Sequence, residues 1–260
     1  MALTALQNQF TALYHATADG IATAPGRVNL IGEHTDYNNG FVLPCALNFR
    51  TQILFKARND NRVNVRSLSY PGESDSFMVN EAINTGPSQW GNYVRAVAFV
   101  LQRAGFTLTG ADMLISSNVP QGAGLSSSAA LELAVGGMFN SLAQLHLNPT
   151  QLAVYGQAAE NDFMDCQCGI MDQLISANAQ QHHALLIDCQ DLSTQLVAMP
   201  ENLAVVIINS NYPRKLVDSE YNQRRADCEA AAKKLGVASL RQATLDDIAN
   251  STTLTDTERK

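Results

Sequence analysis

The sequence predicts a soluble, globular α+β fold. Apolar residues make up 46% of its 260 positions and charged ones 16%, a balance that supports a sizeable buried core. Short β-type runs cluster between residues 41 and 68, and runs at helical spacing dominate from 90 to 178. The plain apolar run Leu203–Ile208, which no other run exceeds, has the length of a strand and falls far short of the roughly eighteen residues of a membrane span.

In chain order, Leu3, Leu6, Phe10, Leu13 and Tyr14 recur at helical spacing, and that first helix ends by Gly20. Strands are expected over 41–47, 51–58 and 62–68, with Asp60-Asn61 as a hairpin turn between the last two. Tyr93, Val94, Val97, Val100 and Leu101 share one side of a helix over 90–105, and a strand follows over 111–119. The next helix, 126–145, carries Glu132 as its only charge, so it reads as buried nearly all round. Its Gly136-Gly137 pair would admit a neighbouring backbone. Asn148-Pro149 is a cap and first-turn signal for a helix over 149–164. A short helix is expected over 171–178, paired strands over 184–188 and 195–199, a fully buried strand over 203–209, and a polar-faced helix over 218–235 closed by Gly236. The composition changes near 192–202, the best place for a domain boundary.

A formal charge of −7 argues against general affinity for nucleic acid or an anionic membrane. It leaves room for a local anion site. No Lys or Arg precedes Arg27, so a charged leader is not expected. Cys45, Cys166, Cys168, Cys189 and Cys228 show no paired C-x-x-C spacing and read as reduced thiols of a cytoplasmic protein, without zinc.

The strongest chemical signal is Val119-Pro-Gln-Gly-Ala-Gly-Leu-Ser-Ser-Ser-Ala129. Glycines and small hydroxyl residues ahead of a buried helix aim backbone N–H groups and the helix dipole at one spot, which is an anion site by construction. It is not a Walker A loop, since no Lys lies between Arg103 and Lys215. Position 127 is Ser, which breaks a dinucleotide fingerprint. A loop without its own Lys needs other positive charge, and magnesium held by a hydroxyl and a carboxylate would supply it. Ser128 and Glu160 could do so, though Glu160 reads equally well as an ordinary flank residue of its helix.

Upstream, Arg27, Asn29, Glu33, His34, Asp36 and Asn38 fall within twelve positions. Glu33-His34-Thr35-Asp36 offers the mixture of acceptors and donors that suits a polyhydroxylated ligand. Asp172, at the start of a short helix, is favoured there electrostatically in any protein; its functional reading is a base that accepts a hydroxyl proton in phosphoryl transfer.

These residues also carry a resemblance. Gly26-Arg-Val-Asn-Leu-Ile-Gly-Glu-His-Thr-Asp-Tyr-Asn-Asn-Gly-Phe-Val-Leu-Pro-Cys-Ala46 is similar to the signature of the galactokinase family. Pro120–Ala130 resembles the second motif of the wider GHMP kinase superfamily, and 168–176 and 219–225 resemble bacterial galactokinases. The resemblance implies phosphorylation of α-D-galactose on its C1 hydroxyl with ATP and Mg2+, the entry of the Leloir pathway. It places Glu33, His34, Thr35, Asp36, Tyr221 and the Gly169 backbone at the sugar. Asp172 would be the base, and Arg27 would hold the reacting groups. Gly122, Ala123, Gly124, Leu125, Ser126, Ser127 and Ser128 would wrap the ATP phosphates, Ser128 and Glu160 would hold the metal, and Trp90 would flank the adenine.

The implied architecture is a ribosomal-protein-S5-domain-2-like N-terminal domain over 1–195 and the beginning of a ferredoxin-like C-terminal domain over 196–260. The superfamily's third, Gly-rich motif has no counterpart, because Gly236 is the only Gly after residue 192. The expectation is therefore a C-terminally truncated galactokinase whose full-length form is a monomer. The alternatives are an inactive product of that truncation, a galactose- and ATP-binding sensor without turnover, and a GHMP kinase for an N-acetylated sugar. The intact Ser126–Ala130 run favours an enzyme over a sensor.

Overall fold

The computed structural model of the chain describes residues 3–211 and 217–259, without the side chains of 217–220. Its elements in order are α1 (Leu3–Tyr14), β1 (Gly20–Asn29), β2 (Phe41–Val42), β3 (Pro44–Arg58), β4 (Arg62–Ser67), β5 (Ser74–Met78), α2 (Gln89–Arg103), β6 (Gly110–Ser117), α3 (Ser127–Leu142), α4 (Pro149–Asp162), α5 (Met171–Asn178), β7 (His183–Asp188), β8 (Thr194–Ala198), α6 (Val217–Leu235) and α7 (Leu245–Asn250). The α+β class is as expected.

One mixed sheet organises the molecule. Its path is β2-β7-β3-β6-β4-β5, with β1 paired to β3 and β8 to β7. The long β3 is central, antiparallel to β1 along one edge and to β6 along the other. Helices α2, α3 and α4 close the main core over the sheet with Val94, Val97, Leu101, Leu133, Met138 and Phe139. Against Leu54 and Leu114 pack Leu6 and Phe10 of α1, in a separate small cluster. Among the described residues no helix is long and apolar enough to cross a membrane.

Several local expectations hold for the reasons that predicted them. Asn148 caps α4 through a reciprocal capping box with Gln151, which satisfies two terminal donors at once. Glu132 is buried within α3. Strands β7 and β8 pair antiparallel, and Gly236 ends α6 at φ 70°.

Others are corrected. The first helix stops at Tyr14, and the chain is already a strand at Gly20. The runs 41–47 and 51–58 merge into one strand apart from the short β2. Asp60-Asn61 is not a hairpin between neighbours, because β6 lies between β3 and β4 and pairs with β4 in parallel. The β6 residue Gly110 approaches so closely that a Cβ on it would lie 2.7 Å from the Arg62 backbone. Gly136 and Gly137 have room for a methyl group, with nearest contacts of 3.4 and 3.9 Å. Gly156 of α4 is tighter than either, since its Cβ would meet Gln173 and Leu133 at 3.1 Å. Residues 203–209 form no strand, and Leu203, Val206 and Ile208 are 66, 78 and 87% exposed. Among the described residues no strand lies beside them to pair with, and apolar character alone does not make a strand. β5 was not foreseen, because Ser74–Met78 is mostly polar.

Candidate active site

The Gly-rich loop connects β6 to α3. Gly122, Gly124 and Ser126 stand at φ 67, 71 and 58°, and left-handed residues at alternate positions turn backbone N–H groups toward a common concavity. α3 begins there, and Ser126 precedes it without capping it by its side chain. The loop faces a cavity of about 520 Å3 whose lining includes Tyr70, Trp90, Gln121, Gly122, Ser127 and Ser128. Trp90 stacks on Tyr70 at 5.7 Å and 6° between ring planes, and its indole N–H donates to Glu73 at 2.7 Å. That volume is in the range of small-ligand sites.

Arg27 reaches the same loop from β1. The β1–β3 register slips between Pro25 and Arg27, a bulge of the kind that re-aims a side chain. Gly26 lies at that slip, where a Cβ would stand 2.6 Å from the Leu125 carbonyl oxygen. The Arg27 backbone N–H donates to that carbonyl at 3.1 Å. Its guanidinium donates to Gly124 O at 2.7 Å, and Nε and Nη2 donate to the two oxygens of Asp172 at 2.6 Å each. Ser126 Oγ donates to Asp172 Oδ2 as well. Asp172 sits in the first turn of α5, so one carboxylate ties β1, the loop and α5 together.

The polar N-terminal cluster lies beside it. Asp36 is buried, accepts backbone N–H bonds from Tyr37 and Met171, and has its carboxyl pushed up to about 6, chiefly by burial and then by the Asp172 charge. The Gly169 backbone lies against it. His34, at φ 60°, shares a 2.7 Å hydrogen bond between Nδ1 and the Tyr37 hydroxyl. The rings of His34, Tyr37 and Tyr221 pack mutually at 5.6 to 5.8 Å. Glu33 accepts from Asn29 at 2.8 Å and is otherwise open. Thr35 Oγ1 lies 2.8 and 2.7 Å from the Gly32 and Phe41 carbonyls, so its hydroxyl serves its own loop.

Behind the loop lie more buried acids. Burial first, and the Asp172 charge second, push Glu160 up to about 7, while a Ser128 hydrogen bond works the other way. Glu132 is raised well above the carboxylate range by burial and then by Glu160. Gln173, fully buried, donates through Nε2 to Glu132 at 3.0 Å and to Glu160 at 2.9 Å. Glu132 Oε1 and Gln173 Oε1 have no hydrogen-bond partner among the described residues. Among the described residues no cluster of three or more His, Cys, Asp or Glu is arranged to hold a metal. Magnesium does not require one, being held typically by one or two carboxylates together with substrate phosphates. Ser128 beside Glu160 fits that pattern.

Comparison with known proteins gives this geometry a family. The galactokinase galactose-binding signature matches residues 8–57, and the GHMP kinase N-terminal domain matches 92–180. The crystal structure of Lactococcus lactis galactokinase complexed with galactose superposes with a TM-score of 0.89 at 31% identity, over 100% of this chain and 69% of that one. The chain belongs to the galactokinase family. Its fold and signature are those of a sugar kinase. Mevalonate kinase of Methanococcus jannaschii shares the fold at a TM-score of 0.58 and 17% identity, over 88% of this chain and 74% of that one. D-glycero-D-manno-heptose 1-phosphate kinase of Bacteriodes thetaiotaomicron does so at 0.54 and 15%, over 88 and 74%.

In this member of the galactokinase family, the residues singled out in the sequence converge. Arg27 and Asp172 meet the Gly-rich loop directly, Asp36 meets Gly169, His34 meets Tyr221, and Ser128 meets Glu160. Sequence reading missed the partners that hold them. Gln173 adjoins Asp172 but shows no pattern of its own. Asn222 and Arg225 of α6 grip the segment before Gly169: Asn222 accepts from the Gln167 N–H at 3.0 Å, and Arg225 donates to the Gln167 and Cys168 carbonyls at 3.1 and 3.2 Å. Both lie in the run 219–225 whose sequence resembles bacterial galactokinases, of which the side chains of Ser219 and Glu220 lie outside the described residues.

Proposed function

We propose that the chain transfers the γ-phosphoryl group of ATP to the C1 hydroxyl of α-D-galactose. The observation that carries this reading is the position of Asp172, fastened between the Gly-rich loop and the Asp36–Gly169 cluster. A sugar bound by Asp36, Glu33, His34, Tyr221 and the Gly169 N–H would present one hydroxyl to Asp172. A triphosphate cradled by 122–128, with its base in the Trp90–Tyr70 cavity, would present its terminal phosphoryl to the same point. The galactose in the Lactococcus lactis complex supports the choice of sugar.

Asp172 takes the C1 hydroxyl proton onto its carboxylate as the C1 oxygen bonds to the γ-phosphorus and the bond from that phosphorus to the β–γ bridging oxygen breaks, releasing ADP. Phosphoryl transfer passes through a loose transition state with charge spread over the phosphoryl oxygens, so positioning and charge stabilisation dominate. Arg27 fixes the base in orientation and adds positive charge at that point. The Asp172 carboxylate, with Asp36 and Glu160 when ionised, places negative charge here, which opposes a triphosphate. Magnesium would supply the compensating charge when bound, and Ser128 and Glu160 are the residues that would hold it. The loop N–H groups bind the phosphates directly.

On this reading residues 1–195 are the GHMP N-terminal domain and 196–260 begin the C-terminal one. The free thiols of all five cysteines fit a cytoplasmic setting. The test is Asp172→Asn in the purified chain, with ADP release followed in galactose and MgATP. Turnover should fall by about 10²-fold or more, as loss of a general base typically does, with both ligands still bound. Undiminished turnover would remove Asp172 from the mechanism. Binding of both ligands by the unaltered chain with no turnover would mark a sensor.

A further inference from the structure

We propose that Ser126 is a positioning residue for the catalytic carboxylate: its hydroxyl holds Asp172 in place and links that residue to the phosphate-binding loop. The inference rests on the reading of Asp172 as the base.

Ser126 departs from an ordinary helix-capping serine in two ways. A capping serine adopts extended backbone angles and accepts a hydrogen bond from a first-turn N–H. Ser126 stands at φ 58° and ψ 51° and makes no such bond. Glycine occupies that left-handed region without steric cost, whereas a residue with a Cβ is disfavoured there. The neighbouring left-handed positions of the loop, 122 and 124, are indeed glycines. A side chain at 126 therefore works against local backbone preference, so what it contacts is the clue to its use.

That contact is Asp172, 46 positions away in sequence. The residue is buried, so water does not readily replace the hydroxyl. Arg27 takes both carboxylate oxygens in the fork geometry that fixes a carboxylate plane. A plane held from one side can still pivot about the guanidinium. The Ser126 hydroxyl arrives on Oδ2 from the loop and removes that freedom. Arg27 also holds the Gly124 and Leu125 carbonyls. Three successive loop residues are thus joined to the Arg27–Asp172 pair, and the loop cannot shift without moving the base. The backbone of Ser126 stays available to phosphate while its hydroxyl acts on Asp172.

Ser126→Gly is the decisive variant, because it removes the hydroxyl and suits the left-handed backbone, so misfolding does not explain a loss. We expect its melting temperature to be unchanged or higher, KM for ATP and galactose within about twofold, and kcat lower by roughly 10- to 100-fold, the range of a mispositioned catalytic group. In an Asp172→Asn background the same change should have little further effect on the residual rate. The Arg27 Nε–H resonance reads the pair without turnover, and its hydrogen exchange should accelerate in Ser126→Gly. A raised KM for ATP at unchanged kcat would make Ser126 a phosphate ligand instead. Unchanged turnover, or unchanged Arg27 exchange, would overturn the proposal. Failure of Asp172→Asn to lose activity would strike the base assignment, whereas loss there with none in Ser126→Gly would strike this inference alone.

Discussion

Gly169 and Asp36 are packed so closely that a Cβ on the glycine would stand 2.0 Å from Asp36 Oδ2. The glycine is required by space, since its φ is not in the left-handed region. Asp36 belongs to the loop after β1 and Gly169 to the segment before α5, so two distant stretches share one position. Alanine at 169 must drive the Asp36 carboxylate away. Gly169→Ala should weaken galactose binding by at least about tenfold, roughly 1.4 kcal/mol, and leave nucleotide binding near normal. Calorimetric titration of each ligand checks this, and unchanged galactose affinity would contradict the geometry.

Asp36 makes stability and sugar binding depend on pH in opposite senses. Its folded-state pKa of about 6 exceeds the unfolded value of 3.8. Between those values the folded chain holds a proton that the unfolded chain has lost, so this group's contribution to stability falls as pH rises. Ionised Asp36 then costs on the order of 2–3 kcal/mol above pH 6. Asp36→Asn should raise the melting temperature at pH 8 and have little effect at pH 4, as calorimetry would show. Galactose affinity of the unaltered chain should decline as pH falls through 6, because protonation removes acceptor capacity.

Gln173 supplies one amide nitrogen to both Glu132 and Glu160. Gln173→Leu keeps the bulk, leaves Glu132 without its donor and leaves Glu160 with Ser128 and Cys168, at about 1–3 kcal/mol for the orphaned group. The melting temperature should drop by roughly 5–10 °C at this chain length. A smaller loss at pH 5 than at pH 8 is expected, because burial already favours the protonated acids. Equal stability to the parent chain would show that the bridge contributes nothing.

Tyr70 provides the aromatic face that stacks on Trp90 in the wall of the large cavity. Tyr70→Ala should weaken ATP binding by about 10-fold, in keeping with about 1 kcal/mol or more from an aromatic platform, and spare galactose. Fluorescence titration with an ATP analogue measures it. An unaffected nucleotide with weakened sugar would place the base elsewhere.

The parts of the fold that were legible in the sequence are those set by neighbours along the chain. The Asn148-Pro149 cap, the buried character of α3 and the Gly-rich loop all follow from residues a few positions apart. What escaped depends on distant pairing. The Asp60-Asn61 turn looked like a hairpin because nothing local announces that β6 inserts beside β4. Residues 203–209 looked like a buried strand because apolar character does not say whether a partner strand is present. The same limit governs the site. The chemistry of Arg27, Asp36, Asp172 and Ser128 could be read by type and motif. The bond from Ser126 to Asp172 and the bridge through Gln173 exist only after folding.

The most direct measurement follows the fate of phosphate. The purified chain is incubated with α-D-galactose and MgATP, and phosphorus NMR monitors the products. We expect ADP and a sugar phosphate substituted at C1 in equal amounts, with galactose used faster than N-acetylgalactosamine and no product without galactose. ADP with inorganic phosphate alone, phosphorylation at another hydroxyl, or no reaction despite binding of both ligands would contradict it.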